Sequence, residues 1–248
     1  PLAERRRLVT EPLVGAPYSL PPLGEEDGPD PDPRLRYDAF DCTTFVETAM
    51  ALGRVEAAAE VKSALDQIRY RKGQPTFSAR RHFPEAEWLP ELRKHGYLED
   101  VTAEVAGDAL VIAEKTLTQK SWARRKKKLL SELDEDRIPR GTFQVAVWPI
   151  VDARDHHTRI PPGTVLSVVR ADYRSNPVRV SHQGLVVQKD GRLNLRHAAD
   201  RVYHRVVDEP LHQFLTRIAR YKIWPVSGIH LAAVKPPPAV VTAEASAP

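Results

Sequence analysis

From residue 42 the apolar positions recur at helical spacing. Phe45, Val46, Ala49, Met50, Leu52 and Val55 form one run, and Ala57, Val61, Leu65 and Ile68 continue it. One or two helices are therefore predicted between Cys42 and Gly73, with Gly53 as the dividing point and Gly73-Gln74-Pro75 as the end. Asp41 is a good N-cap type and sets the helix start at Cys42. Residues 84–98 predict a short helix carrying Trp88, Leu89 and Leu92, which Pro90 should break or kink and Gly96 should close. Residues 104–117 fit neither period. Residues 121–136 read as a charged helix with Trp122, Leu129, Leu130 and Leu133 on its apolar side.

The second half changes period. Residues 143–148, 164–170, 180–188, 192–198 and 228–234 have the composition of strands, with Pro161-Pro162-Gly163 and Asp190-Gly191 as turns. Residues 209–221 return to an amphipathic helical pattern. Helices followed by a mostly antiparallel sheet predict an α+β domain rather than alternating βαβ units. That domain spans 35–234, with a helical part at about 35–136 and a sheet part at about 140–234. Before it, seven prolines and three glycines between Pro12 and Pro33 predict an extended segment over 1–34, with at most a helical turn at its start. After it, the Pro- and Ala-rich residues 235–248 predict a disordered tail.

Composition narrows the class only a little. Apolar residues at 42% and charged residues at 28% are ordinary for a water-soluble globular chain of 248 residues. The net charge of +4 and a pI near 9.2 suit an anionic neighbourhood such as a cell wall, a membrane surface or nucleic acid, without selecting among them. No apolar run approaches the ~20 residues that span a bilayer, so stable membrane insertion is not expected. A single cysteine excludes an intramolecular disulfide and any multi-cysteine metal site.

That cysteine, Cys42, sits in Asp41-Cys42-Thr43-Thr44-Phe45-Val46-Glu47 at the predicted helix start. Unpaired backbone N–H groups and the helix dipole favour the thiolate there, which predicts a lowered pKa. A lone cysteine is more commonly a small buried hydrophobe, so a nucleophile needs a partner base. Most of the nine histidines have simpler readings. His95 lies near a helix end, His204 and His212 lie among charges, and His230 lies in a strand. His156-His157, with Asp152 and Asp155, could ligate a metal but also fit a polar surface loop.

His182 and His197 flank the Asp190-Gly191 turn. Counting outward from a two-residue hairpin, Gly184 faces His197 and His182 faces Ala199. The two imidazoles then share a face as diagonal neighbours about 7–8 Å apart, and Gly184 leaves room between them. A three-residue loop would put them on opposite faces, and two unrelated histidines on an exposed ribbon is the alternative.

Asp41 to Glu47, Ser181-His182-Gln183-Gly184-Leu185-Val186 and Arg196-His197-Ala198 together resemble the NlpC-type cell-wall cysteine peptidases. The closer resemblance is to the N-acetylmuramoyl-L-alanine amidase-like branch of that clan, which also has a segment similar to Arg80-Arg81-His82-Phe83 followed by Trp88. Gln183, in place of a small apolar residue, and the lack of an aromatic-Trp-Gly-Gly segment lean toward the amidase branch. The resemblance covers about residues 35 to 234. It implies a papain-like fold in which Cys42 attacks an amide carbonyl, His182 moves the proton and His197 orients His182. The Cys42 backbone N–H would serve the oxyanion, and Asp41 and Thr43 would hold the substrate peptide end. Arg80 and His82 would suit an anionic or sugar-bearing substrate. Neither cofactor nor metal is implied. The expected substrate is the N-acetylmuramoyl-L-alanine bond of peptidoglycan or muropeptide fragments, in the periplasm or cell envelope, the chain being expected to be a mature form without its leader. Nucleic acid is not an expected partner. Three alternatives are a γ-D-glutamyl endopeptidase on the same peptides, metal-dependent hydrolysis at Asp152, Asp155, His156 and His157, and non-catalytic polyanion binding by Arg124-Arg125-Lys126-Lys127-Lys128.

Overall fold

The computed structural model describes residues 2–120 and 129–236. The run Arg124–Lys128 and residues 237–248 of the predicted tail lie outside the described residues. In chain order the elements are helix α1 (Leu2–Thr10), α2 (Cys42–Arg54), α3 (Val61–Arg69) and α4 (Leu89–Lys94), strand β1 (Leu98–Asp100), α5 (Thr102–Ala106), β2 (Val111–Leu117) and β3 (Gly141–Pro149). Then come α6 (Ile150–Asp155), β4 (Thr164–Arg170), β5 (Val180–Lys189), β6 (Arg192–Ala199), β7 (Arg205–Pro210), α7 (Leu211–Ile218) and β8 (Val226–Val234). Mixed helix and antiparallel sheet is thus the architecture.

The strands form one sheet in the order β2-β3-β8-β4-β5-β6-β7, with β1 pairing β8 and every neighbour antiparallel. Both faces of its centre are covered. Val165, Val169, Leu185, Val187 and Ala198 pack toward Phe45, Val46, Met50, Leu65 and Ile68 of α2 and α3. Leu166, Val168, Val186, Leu195 and Leu231 pack toward Phe214, Leu215 and Ile218 of α7 and Ala153 of α6. Successive residues of a strand point to opposite faces, so a strand buried on both sides loses the apolar–polar alternation, as β4 does with six consecutive buried residues, Thr164 to Val169. Among the described residues no helix is long and apolar enough to cross a membrane.

Several expectations change. The chain before Pro12 is a nine-residue helix rather than at most one turn. Its support is tertiary: the fully buried Arg196 of β6 donates from Nη1 to the Arg7 carbonyl at 2.7 Å and to Thr10 Oγ1 at 2.9 Å. Arg6 of the same helix donates to the Val234 carbonyl at 2.8 Å. The stretch from Cys42 does divide into two helices, but α2 runs through Gly53 and ends one residue later at Arg54, before α3. Pro90 does not break its helix, because the π turn Pro84–Trp88 precedes α4 and Pro90 falls in the first turn of α4, where a missing N–H costs least. Strand β7 lacks an apolar period because its acidic residues are paired inside the protein: Asp208 faces and accepts from Arg196, and Glu209, opposite Leu195, meets His197.

Candidate active site

Cys42 is the first residue of α2. Asp41 caps it: Oδ1 accepts from the Thr44 backbone N–H at 2.7 Å and from the Thr44 hydroxyl at 2.9 Å, while the Asp41 N–H donates to Thr44 Oγ1 at 3.0 Å. Apolar Phe45, Val46 and Ala49 then bury the helix against the sheet, fixing where the thiol lies. Its first turn meets β5. Thr43 Oγ1 donates to Gln183 Oε1 at 3.2 Å, and Gln183 Nε2 donates to Ser167 Oγ of β4 at 3.1 Å. The Thr43 hydroxyl lies 3.9 Å from the sulfur. Cys42 therefore adjoins β5 one residue from His182.

The hairpin turn has two residues. Asp190 and Gly191 both adopt positive φ, 51° and 72°, and Lys189 pairs with Arg192. His182 and His197 consequently share a face. His182 Nε2 lies 2.7 Å from His197 Nδ1, with the rings nearly perpendicular at a centroid separation of 4.9 Å. Phe214 of α7 packs on both, at 6.0 and 5.3 Å. A bulge in β5 aims His182: Val168 pairs with His182 but Val169 pairs with Val180, leaving Ser181 over. Ser181 Oγ accepts from Arg170 Nε at 2.8 Å. At Gly184 a Cβ would lie 2.9 Å from His197 Cβ and 2.8 Å from Leu195 Cδ1, so only glycine fits between the strands.

Two further groups complete the cluster, and sequence reasoning missed both. His197 Nε2 lies 3.2 Å from Glu209 Oε2. Arg217 donates to the same carboxylate from Nη2 at 2.6 Å and from Nε at 3.0 Å, and from Nη1 to Tyr221 at 2.6 Å. Burial opposes the Glu209 charge, but hydrogen bonds from His197 and Arg217 outweigh it and hold the carboxyl below its usual range. The available signal was the Glu-Pro preceding a helix on the same face as His197, but this needed the seventh strand to be read.

The electrostatics correct one expectation. The Cys42 thiol is not lowered: burial, then the Asp41 charge, pushes it up to about 12, against hydrogen bonds from Gln183 and Thr43. Burial, with His197 next, pushes His182 well below its ordinary value, and burial lowers His197 despite the pull of Glu209. These directions all favour the neutral forms, a thiol at Cys42 and imidazoles at His182 and His197.

The other predicted residues have protein partners. The Arg80 guanidinium is held by Glu25, at 2.7 and 2.6 Å, and by Asp30 at 2.8 Å. His82 Nε2–H donates to the Phe77 carbonyl at 2.7 Å, its ring lies on Phe77, and burial pushes its pKa down to about 3. Both therefore brace the loop before α4. Asp155 pairs with Arg154, and Nδ1 of His156 and of His157 face the carbonyls of Asp152 and Arg154. Among the described residues no three His, Cys, Asp or Glu side chains are grouped to hold a metal ion.

A family model described as AmiA-like, N-acetylmuramoyl-L-alanine amidase-like, matches residues 8–220. A comparison with curated proteins finds no match. Solved structures match over nearly the whole chain. A Legionella pneumophila protein of the DUF1460 family is 23% identical, with TM-score 0.85, over 95% of this chain and 89% of that one. A protein described as an N-acetylmuramoyl-L-alanine amidase from Bacteroides uniformis is 23% identical, with TM-score 0.75, over 94% and 99%. A protein described as a putative xylanase from Bacteroides fragilis is 23% identical, with TM-score 0.70, over 91% and 100%. At these identities the likeness is one of fold.

Proposed function

The chain belongs to the N-acetylmuramoyl-L-alanine amidase-like family, and on that premise we propose that it is a cysteine-dependent amidase cleaving the bond between the lactyl carbonyl of N-acetylmuramic acid and L-alanine. The observation that carries the reading is the meeting of Cys42, at a capped helix start, with β5 beside the His182–His197 pair. We read the arrangement as papain-like. Peptidoglycan or its fragments in the cell envelope would be the substrate.

The chemistry follows from the neutral resting state. As Cys42 Sγ attacks the lactyl carbonyl, its proton passes to His182, so charge develops only as the bond forms. The Cys42 backbone N–H, unpaired at the helix start, donates to the resulting oxyanion. His182 returns the proton to the nitrogen of L-alanine, the C–N bond breaks and the peptide leaves. Water, deprotonated by His182, hydrolyses the thioester and releases muramic acid with a free carboxylate. Asp41 and Thr43 stand next to the reacting sulfur, where they would meet the peptide end.

Digestion of a defined muropeptide by the wild type and Cys42→Ala, read by mass, tests this. Intact peptide plus peptide-free saccharide from the wild type alone is expected. A peptide split at γ-D-glutamate would replace the bond assignment with the endopeptidase one. Activity that survives Cys42→Ala and dies with chelator would overturn the thiol mechanism.

A further inference from the structure

Behind the two imidazoles stands a buried carboxylate that the reaction above does not use. Glu209 is 3% exposed and His197 is 1% exposed, and both Glu209 oxygens are occupied: Oε1 by Arg217, Oε2 by Arg217 and His197. We propose that Glu209, held by Arg217, is a positioning residue that fixes the protons on both imidazoles so that His182 presents a bare Nδ1 for the Cys42 proton.

Donors and acceptors must alternate along the row Glu209–His197–His182. An ionised carboxylate only accepts, so the proton between it and His197 sits on His197 Nε2. A neutral His197 then has a lone pair on Nδ1. The atom 2.7 Å from that lone pair is His182 Nε2, which must donate. A neutral His182 has one proton, now placed on Nε2, so Nδ1 is its free base. Each step leaves one choice. With the order reversed, His197 Nδ1–H would donate to His182 Nε2, and the His182 proton would move to Nδ1, where it could no longer take one. The groups facing this chain are His182 from β5, Asp208 and Glu209 from β7 and Arg217 from α7, with Arg170 of β4 acting on His182. Arg217 keeps Glu209 ionised and also spans Phe214, at 5.3 Å from its ring, so the pair is braced by the helix that covers both histidines.

Glu209→Gln is the informative variant. Arg217 would claim the single amide oxygen and turn the amide N–H toward His197 Nε2, which must then accept. That inverts the whole chain with almost no change in shape. The expected result is a fall in kcat of roughly 10²-fold with KM unchanged, the lower end of what positioned acid–base groups contribute. In ¹⁵N spectra of the substrate-free protein, His182 should change from the Nε2–H to the Nδ1–H form. Unchanged kcat with His182 still Nε2–H would overturn the proposal. Should Glu209→Gln fail to fold, Arg217→Gln decides it. Loss of the Nε2–H signature there, with recovery in Arg217→Lys, supports the role, and an unaltered signature overturns it. The inference rests on His182 as the base. Activity surviving in Cys42→Ala would sink that reading, while the proton positions remain readable without turnover, so the two failures are distinguishable.

Discussion

The hydroxyl of Thr43 donates to the side-chain oxygen of Gln183 at 3.2 Å, tying the residue after the thiol to the residue after His182. Gln183 passes the link on through its amide to Ser167 of β4, and it is almost fully buried. One side chain thus joins the start of α2 to two strands. Gln183 is also the residue that departs from the NlpC-type pattern the sequence resembles, where a small apolar residue is usual. The polar replacement is satisfied on both ends, which is what makes a buried amide tolerable.

Gln183→Ala is therefore expected to cost stability and position together. It leaves the Thr43 and Ser167 hydroxyls without their partner, a loss of about 1–3 kcal/mol. The thiol, no longer held against β5, should turn over substrate more slowly. A chemical denaturation midpoint that matches the wild type would contradict the stability part. Unchanged kcat in a folded variant would contradict the positioning part.

Gly184→Ala tests the second half of the same geometry. The added methyl would meet His197 Cβ at 2.9 Å and Leu195 at 2.8 Å, closer than real contacts allow. The β5–β6 pair must open, and His197 moves away from His182 Nε2. Displacement by ~1 Å at a reacting group costs roughly 10²-fold, so kcat should fall by about that much while the fold persists. Near-wild-type turnover would show that the histidine spacing is not critical.

The parts of this site legible in the sequence were those that local rules encode. The start of α2 followed from Asp41 and the helical spacing of Phe45, Val46 and Ala49. The facing of His182 and His197 followed from a two-residue Asp190-Gly191 turn. What stayed hidden depends on residues far apart in the chain. Glu209 lies on a strand whose charges pair inside the protein, so it lacks an apolar period. Helix α1 leans on Arg196, about 190 residues away. The thiol's pKa also went the other way, because desolvation of the charged form and the Asp41 charge outweigh what the helix start and its hydrogen bonds offer the thiolate.

The pH dependence of stability should expose His82. Its pKa falls from about 6.5 in the unfolded chain to about 3 when folded, so the unfolded state binds the extra proton between those values. A depressed folded pKa means the contribution is complete above pH 6.5 and is lost as pH falls toward 3. The slope is ~1.4 kcal/mol per pH unit for one group. His82→Phe keeps the ring against Phe77, forgoes the bond to the Phe77 carbonyl and removes this slope. Denaturation at a series of pH values should therefore show the wild type and the variant converging as pH falls from 6.5. Parallel curves would mean that His82 accepts a proton without unfolding.

Asp41 has two roles that can be separated by one pair of variants. As a cap its oxygen accepts from Thr44, and an asparagine oxygen can do the same. As a charge it adds to burial in raising the Cys42 thiol to about 12. Asp41→Asn should keep the helix start, with a melting temperature near wild type, while Asp41→Ala should lose about 1 kcal/mol. Both remove the charge, so both should lower the thiol pKa and speed alkylation of Cys42 by iodoacetamide at pH 8. In the wild type the alkylation rate should keep rising with pH from 7 to 10 without a plateau. A plateau near neutrality would mean that the resting site holds a thiolate. If the Asn variant alkylates faster yet turns over muropeptide more slowly with a raised KM, the charge serves the substrate rather than the sulfur. If KM is unchanged, Asp41 is a cap alone, and the substrate contact assigned to it is wrong.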